Sequence, residues 1–240
     1  MKYKVDGTVM QVLNLELKTG EKVYSERGGM TWMSDNIKME TSTKGGLWKG
    51  FKRMFSGESF FLTTFTCETG TGVITFGSEV PGKILPIQIK PGKEYICQKD
   101  AFLCAENTVV LDIYFKKRLG AGFFGGEGFI LQKLSGKGEA FINIDGEVTE
   151  VNLKPGQVLK VDTGHLAMYE PTVEYDIEVV KGVKNILFGG EGFFFAVLRG
   201  PGKVWLQSLP ARKLAGRLAK YYAQRRGNKV GTALDFIGGG

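Results

Sequence analysis

The sequence predicts an all-β protein built from three pseudo-equivalent β-rich repeats around a pseudo-threefold axis, followed by a C-terminal amphipathic helix. Two motifs that each recur three times, and apolar runs with the periodicity of strands, predict the β part. Apolar residues at helical spacing beyond residue 207 predict the helix. We expect residues 1–207 to form a single β domain, with repeats at about 15–85, 86–150 and 151–207.

Each repeat opens on a turn made of a lysine, one further residue and a glycine. These turns are Lys18-Thr19-Gly20, Lys90-Pro91-Gly92 and Lys154-Pro155-Gly156. Ten residues after each glycine stands an apolar residue, and two positions further stands a second apolar or small residue. The pairs are Met30 and Trp32, Phe102 and Cys104, and Leu166 and Met168. We therefore expect the three pairs to hold matching positions.

The second motif is an apolar pair, a small turn and a glutamate. It occurs at Met54–Glu58, Phe123–Glu127 and Leu187–Glu191, and each copy is followed by a strand-like run and a Gly-x-Gly turn. Those turns are Gly70-Thr71-Gly72, Gly136-Lys137-Gly138 and Gly200-Pro201-Gly202. A unit of this size and composition is too small to bury both faces of its sheets alone, so we expect the units to pack together.

Local patterns assign the remaining elements. The runs Glu139–Ile144 and Val173–Val180 read as strands, and Asp145-Gly146 is a two-residue hairpin signal. Leu47–Phe55 has the spacing of a short helical turn.

A basic amphipathic helix is predicted over residues 208–226. Ser208 and Pro210 are start signals and Gly227 is a stop signal. Leu214, Leu218, Tyr221 and Tyr222 form an apolar stripe, which either docks on the β domain or faces a partner. Residues 227–240 read as a flexible tail.

The positive charge is concentrated at the C-terminal end. The formal net charge is +7, yet residues 1–200 hold equal numbers of cations and anions. Residues 201–240 hold one anion, Asp235, and eight cations: Lys203, Arg212, Lys213, Arg217, Lys220, Arg225, Arg226 and Lys229. This distribution argues against a nucleic-acid platform that covers the whole surface, and it predicts local attraction to anions.

The sequence also predicts a cytoplasmic protein. The N-terminus has no apolar signal region, and no run approaches about 18 apolar residues. The three cysteines, Cys67, Cys97 and Cys104, are odd in number and lack a C-x-x-C spacing, so buried, reduced thiols are expected.

Little in the sequence points to catalysis. The single histidine, His165, follows a turn, and a structural role suits it better than a role in a triad. No G-x-S-x-G motif occurs, and the Gly-Gly-Glu turns lack the Lys-Ser/Thr of a phosphate loop. We expect no enzyme activity, no catalytic residue, no cofactor and no small-molecule substrate.

Three glutamates form a candidate metal site. If the repeats surround an axis, then Glu58, Glu127 and Glu191 hold equivalent positions and could bind one hard cation together. The alternative is that each carboxylate caps backbone N–H groups of its own turn.

Two segments are candidate interaction surfaces. The residues concerned are Trp48, Phe51, Lys52, Arg53, Arg212, Lys213, Arg217, Lys220, Arg225 and Arg226. Cations beside an apolar stripe suit an anionic membrane surface, and they also suit a nucleic-acid backbone.

The run from Gly45 to Phe61, together with Trp205–Pro210, resembles the bacterial relatives of the "altered inheritance of mitochondria" proteins. The resemblance implies a fold like that of the tryptophan RNA-binding attenuation protein, with pseudo-threefold repeats and homo-oligomers. It also implies a role in mitochondrial membrane organisation for eukaryotic relatives, and no known catalytic residue. The present N-terminus lacks the pattern of a transit peptide, which favours a bacterial or archaeal cytosolic protein.

The expected function is that of a non-enzymatic, oligomeric β scaffold, with a trimer favoured, that contacts protein partners or a membrane surface. The alternative is an RNA-binding module that uses the basic C-terminal helix.

Overall fold

A computed structural model describes residues 1–26, 28–42, 62–117, 129–179 and 194–225. Within those residues the chain is predominantly β, as predicted, and it has one α-helix, α1 (Ala211–Arg225). The strands in chain order are β1 (Lys2–Asp6), β2 (Val12–Lys18), β3 (Lys22–Glu26), β4 (Met30–Met33), β5 (Ile37–Ser42), β6 (Leu62–Cys67), β7 (Thr71–Gly77), β8 (Gly82–Ile89), β9 (Tyr95–Gln98), β10 (Phe102–Glu106), β11 (Val109–Lys117), β12 (Phe129–Gly136), β13 (Gly138–Asp145), β14 (Val148–Leu153), β15 (Val158–Asp162), β16 (Leu166–Tyr169), β17 (Glu174–Val179), β18 (Phe194–Arg199) and β19 (Gly202–Gln207). Single turns of 3-10 helix, Lys99–Ala101 and Thr163–His165, precede β10 and β16.

The strands form four antiparallel sheets. Sheet 1 has the order β1-β2-β7-β4, and sheet 2 has the order β5-β6-β3-β10-β13-β8. Sheet 3 has the order β11-β12-β9-β16-β19-β14, and sheet 4 has the order β15-β18-β17. Adding six to each strand number of sheet 2 reproduces the order of sheet 3.

Three apolar cores lie between successive sheets. Core 1 joins residues of sheets 1 and 2, core 2 joins residues of sheets 2 and 3, and core 3 joins residues of sheets 3 and 4. On β13, Phe141 belongs to core 1 whereas Ala140 and Ile142 belong to core 2, as strand alternation requires. Both faces of the two six-stranded sheets are therefore covered.

The recurrent apolar pairs of the sequence flank β-bulges. The register shifts between Met30 and Trp32 where β4 meets β7. The same irregularity occurs between Phe102 and Cys104, and between Leu166 and Met168, where β10 meets β13 and β16 meets β19. A bulge places two residues against one and bends its strand. Each pair thus marks a bulge in a different strand.

The predicted Asp145-Gly146 hairpin is wrong. Strand β13 pairs with β8 and β10 in sheet 2, whereas β14 pairs with β19 in sheet 3. The turn therefore carries the chain from one sheet to the next. Gly146 has a φ of 79°, which favours glycine, and its N–H donates to the Pro81 carbonyl.

All three cysteines are buried and free, as expected. Burial raises the pKa of the Cys97 and Cys104 thiols. These side chains act as small apolar residues of the cores.

Two buried tyrosines offer a matched test of hydrogen bonding. The Tyr24 hydroxyl donates to the Val109 carbonyl at 3.1 Å, whereas the Tyr169 hydroxyl is buried without a partner. Because a buried polar group without a partner costs free energy, Tyr169→Phe is expected to raise the free energy of unfolding by about 1 kcal/mol. Tyr24→Phe is expected to lower it by a similar amount. Urea unfolding of both variants checks the opposite signs, and equal effects would contradict the assignment.

Candidate functional site

Most of the predicted site residues fall outside the described residues. Those are Trp48, Phe51, Lys52, Arg53, Glu58, Glu127, Glu191 and Arg226, and the predicted tail at 227–240 also falls outside. The structure therefore leaves the three-glutamate site as a prediction. Arg212, Lys213, Arg217, Lys220 and Arg225 lie on α1.

Helix α1 begins at Ala211, three residues later than predicted. Ser208 is not its N-cap, because the Ser208 hydroxyl accepts from the Glu147 N–H and the Ser208 N–H donates to the Glu147 carbonyl. The helix is capped instead by Asp145, at the end of β13 in sheet 2, whose carboxylate accepts a hydrogen bond from the Ala211 N–H at 2.8 Å. A carboxylate at this end also suits the helix dipole.

A second contact holds the first turn of α1. Lys213 Nζ lies 2.9 Å from Asp162 Oδ2 and 2.8 Å from His165 Nε2. His165 Nδ1 lies 2.7 Å from the Gln207 carbonyl oxygen, to which it must donate, so Nε2 accepts from Lys213. Both nitrogens of the His165 ring thus serve the attachment of the helix. Lys213, predicted as an interaction residue, binds the β domain itself.

Beyond its first turn the helix stands away from the sheets. Leu214 is half-buried, but Leu218, Tyr221 and Tyr222 are 51%, 54% and 66% exposed. Of the two alternatives for this stripe, docking on the β domain does not hold beyond Leu214. Arg217 is also exposed, and no acidic residue occurs between Ser208 and Arg225. We call Arg217, Leu218, Tyr221 and Tyr222 the helix surface.

A cavity of about 340 Å³ lies at the base of α1. Its walls come from segments far apart in sequence: the ends of β3, β7, β9, β13 and β19, both 3-10 turns and the start of α1. Among the described residues that line it, four carry carboxylates and two carry cations, namely Glu26, Glu79, Asp100, Asp145, Lys99 and Arg212. Sequence reasoning missed this cavity.

Asp145 links the cavity to the helix. Burial raises the pKa of its carboxyl, and the nearby Asp100 adds to the rise, whereas the hydrogen bonds from the Ala211 N–H and the Asn143 amide oppose it. The Asp145 backbone N–H donates to Gln207 Oε1, and Gln207 Nε2 donates to the Gly164 carbonyl. This network fixes the wall of the cavity at the point where sheets 2 and 3 meet the helix.

Two other classes of site are absent from the described part of the chain. No group of three or more His, Cys, Asp or Glu side chains is placed to hold a metal ion there. In the same ranges, no helix has the length and apolar character that crossing a bilayer requires.

Comparisons with known proteins place these features in a wider group. A family model described as "Mitochondrial biogenesis AIM24" matches residues 3–209. An uncharacterised protein of Streptococcus pyogenes serotype M6 is 26% identical over 230 residues, which cover 92% of this chain and 91% of that protein. A crystal structure of a Streptococcus pyogenes protein superposes with a TM-score of 0.74 at 25% identity and covers 92% of this chain and 99% of that one. The family match ends just before α1.

Proposed function

From the premise that this chain belongs to the mitochondrial biogenesis AIM24 family, we propose that it is a non-enzymatic β scaffold that attaches to an anionic lipid surface through α1. The observation that carries the proposal is the exposed helix surface, in which apolar and cationic side chains lie side by side on a helix without acidic residues. A helix of this composition favours the plane of a membrane interface.

The energies involved suit a reversible attachment. A leucine side chain that leaves water for an apolar phase contributes about 2 kcal/mol, and the rings of Tyr221 and Tyr222 suit the headgroup level of a bilayer. Each Lys or Arg near an anionic membrane adds about 1 kcal/mol. Arg217, Lys220 and Arg225 are the cations beyond the first turn of the helix. Apolar burial and attraction to anionic lipid therefore act together on this helix.

The base of the helix supports this proposal by giving the helix a fixed exit from the β domain. Asp145 caps it, Lys213 pairs with Asp162, and Pro210 is buried. The bonds come from sheet 2 and from the end of β15, so the first turn is held from two sides. The rest of the helix extends into solvent.

We also infer the three repeats and the pseudo-threefold axis, in an arrangement like that of the tryptophan RNA-binding attenuation protein. The shift by six strands between sheets 2 and 3, and the three bulges, support the repeats. Gly28, Asp100 and Gly164 stand two residues before the three bulges and line one cavity, which supports an axis there. A trimer is proposed from the sequence, and the particle mass in solution tests it. Three buried free thiols suit the reducing cytoplasm that we propose as its compartment.

Vesicle co-sedimentation of the full chain tests the membrane proposal. We expect binding to vesicles that contain anionic phospholipid, little binding to purely zwitterionic vesicles, and loss of binding as salt rises. Leu218→Ser combined with Tyr222→Ser should weaken binding by at least tenfold, because apolar contact is lost while every cation is kept. Arg217→Gln should weaken it by about fivefold.

The matched control is Arg199→Gln, which removes an exposed cation from β18 and leaves α1 intact. It should bind vesicles like the parent chain. Equal binding by the Leu218/Tyr222 variant and the parent would overturn the proposal. Binding to RNA but not to anionic vesicles would overturn it in favour of the RNA-binding alternative.

A further inference from the structure

The cavity at the base of α1 contains polar groups that the protein leaves unsatisfied. The Gln98 side chain is 7% exposed and, within the described residues, has no hydrogen-bond partner. Asn143 Oδ1 is buried and also lacks a partner, although the Nδ2 of the same amide donates to Asp145 Oδ1 at 3.2 Å. A buried polar atom left unpaired, such as Asn143 Oδ1, costs about 1–3 kcal/mol. Because the unpaired Gln98 amide lies in the same cavity, the arrangement favours an external partner.

Acceptors predominate among the groups that line the cavity. Asn143 presents an unpaired oxygen, Gln98 presents an amide with one acceptor and one donor group, and the Asp145 carboxylate lies beside them. A complementary ligand therefore donates hydrogen bonds and carries positive charge opposite Asp145. An anionic ligand would meet the Asp145 carboxylate and would leave the Asn143 oxygen unpaired.

The size of the cavity limits the ligand. At ~30 Å³ for each water-sized group, 340 Å³ has room for about ten such groups, which is at the lower end for small-molecule sites. Since the described residues offer no cluster for a metal ion, an organic cation fits the lining better than a bare one.

We propose that this cavity binds a small protonated amine or guanidine, with the ligand N–H groups donating to Asn143 Oδ1, to the Gln98 side-chain oxygen and to the Asp145 carboxylate. This site goes beyond membrane attachment, because it uses the β domain and not the helix surface. Asp145 connects the two, since the carboxylate that would receive the ligand also caps α1.

Isothermal titration of the full chain with four probes tests the proposal. 1,4-Diaminobutane and L-arginine should bind. 1,4-Butanediol has the same four-carbon chain and donates through two hydroxyl groups but carries no charge, and L-glutamate has a net negative charge, so both should bind at least tenfold more weakly or not at all. Binding of the diol as tightly as the diamine, or binding of glutamate in place of arginine, would overturn the proposed ligand class.

Substitutions of residues that line the cavity test whether the diamine binds there. Gln98→Leu removes a side chain that has no hydrogen-bond partner among the described residues, and Asn143→Leu removes the unpaired Oδ1 together with the Nδ2 bond to Asp145. Circular dichroism checks that both proteins fold, and each should weaken binding of the diamine by about tenfold. The control Asn152→Leu changes an exposed asparagine on β14 and should leave binding unchanged.

Unchanged binding in both leucine variants would overturn the site, and so would the absence of any heat or thermal stabilisation with both cationic probes. Vesicle binding by the same variants should equal that of the parent chain.

Discussion

Replacement of Gly82 by alanine is expected to lower the free energy of unfolding by about 3 kcal/mol or more. A Cβ atom at this position would overlap the backbone carbonyl oxygen of Ile144 on β13 and would also crowd the Gly146 N–H. The neighbour is backbone held in an eight-residue register between β8 and β13, so it cannot move aside as a side chain could. The Gly82 N–H also donates to the Val9 carbonyl, which ties the N-terminal segment to the same place.

Gly77→Ala is the matched control for Gly82→Ala. A Cβ there would meet only side-chain atoms, with Thr31 Oγ1 nearest at 3.2 Å and Val12 Cγ1 at 3.6 Å. Its effect should stay within about 1 kcal/mol, because small side-chain shifts and the reduced entropy of the unfolded chain offset each other. Guanidinium unfolding followed by circular dichroism measures both. A Gly82 variant as stable as the Gly77 variant would contradict the close approach of β8 and β13.

The sequence predicts the strand content well because short-range spacing controls it. Met30, Phe102 and Leu166 recur at one offset from a turn, and each begins a bulge in the structure. A bulge is a local distortion, so the residues that produce it lie next to one another in sequence. The pattern could therefore be read without knowing which strands pair.

Pairing between strands could not be predicted in the same way. Asp145-Gly146 has the composition of a hairpin turn, yet the strands on either side enter different sheets. The partners of β13 are β10 and β8, and β8 begins more than fifty residues earlier. The residues of a turn predict that the chain reverses direction. Which strand then pairs with which depends on how side chains distant in sequence pack in the cores.

The helix and the cavity show the same limit. Ser208 looks like an N-cap in sequence, but the cap is Asp145, from another strand. The cavity draws on residues from Glu26 to Arg212, and no window of sequence contains more than a part of it. One signal was present: Gly28, Asp100 and Gly164 stand at one offset before the recurrent pairs. That shared offset predicts a common cavity only if the three repeats are assumed to surround a threefold axis.

The shared sheets explain how a chain with many non-local strand pairs gains its stability. Sheet 2 contributes to core 1 with one face and to core 2 with the other, and sheet 3 does the same for cores 2 and 3. Two residues next to each other on a central strand therefore serve different cores. A defect in a strand of sheet 2 or sheet 3 therefore weakens the packing of three sheets, whereas a defect in an outer sheet weakens the packing of two.

Phe141→Ala is the variant that should show this most clearly, with an expected loss of about 3–5 kcal/mol in the free energy of unfolding. Phe141 is fully buried in the middle of β13, between β8 and β10, and its ring packs against the Tyr3 ring in a T-shaped arrangement with 5.1 Å between centroids. Truncation leaves a cavity that the paired strands on both sides prevent from closing. Phe141→Leu should cost much less, since leucine fills most of the volume. Urea unfolding of both variants and of Tyr3→Leu separates the cost of the cavity from the loss of the aromatic contact. The aromatic contact alone contributes about 1 kcal/mol. A loss in Phe141→Ala no larger than in Tyr3→Leu would therefore show that core 1 does not depend on β13.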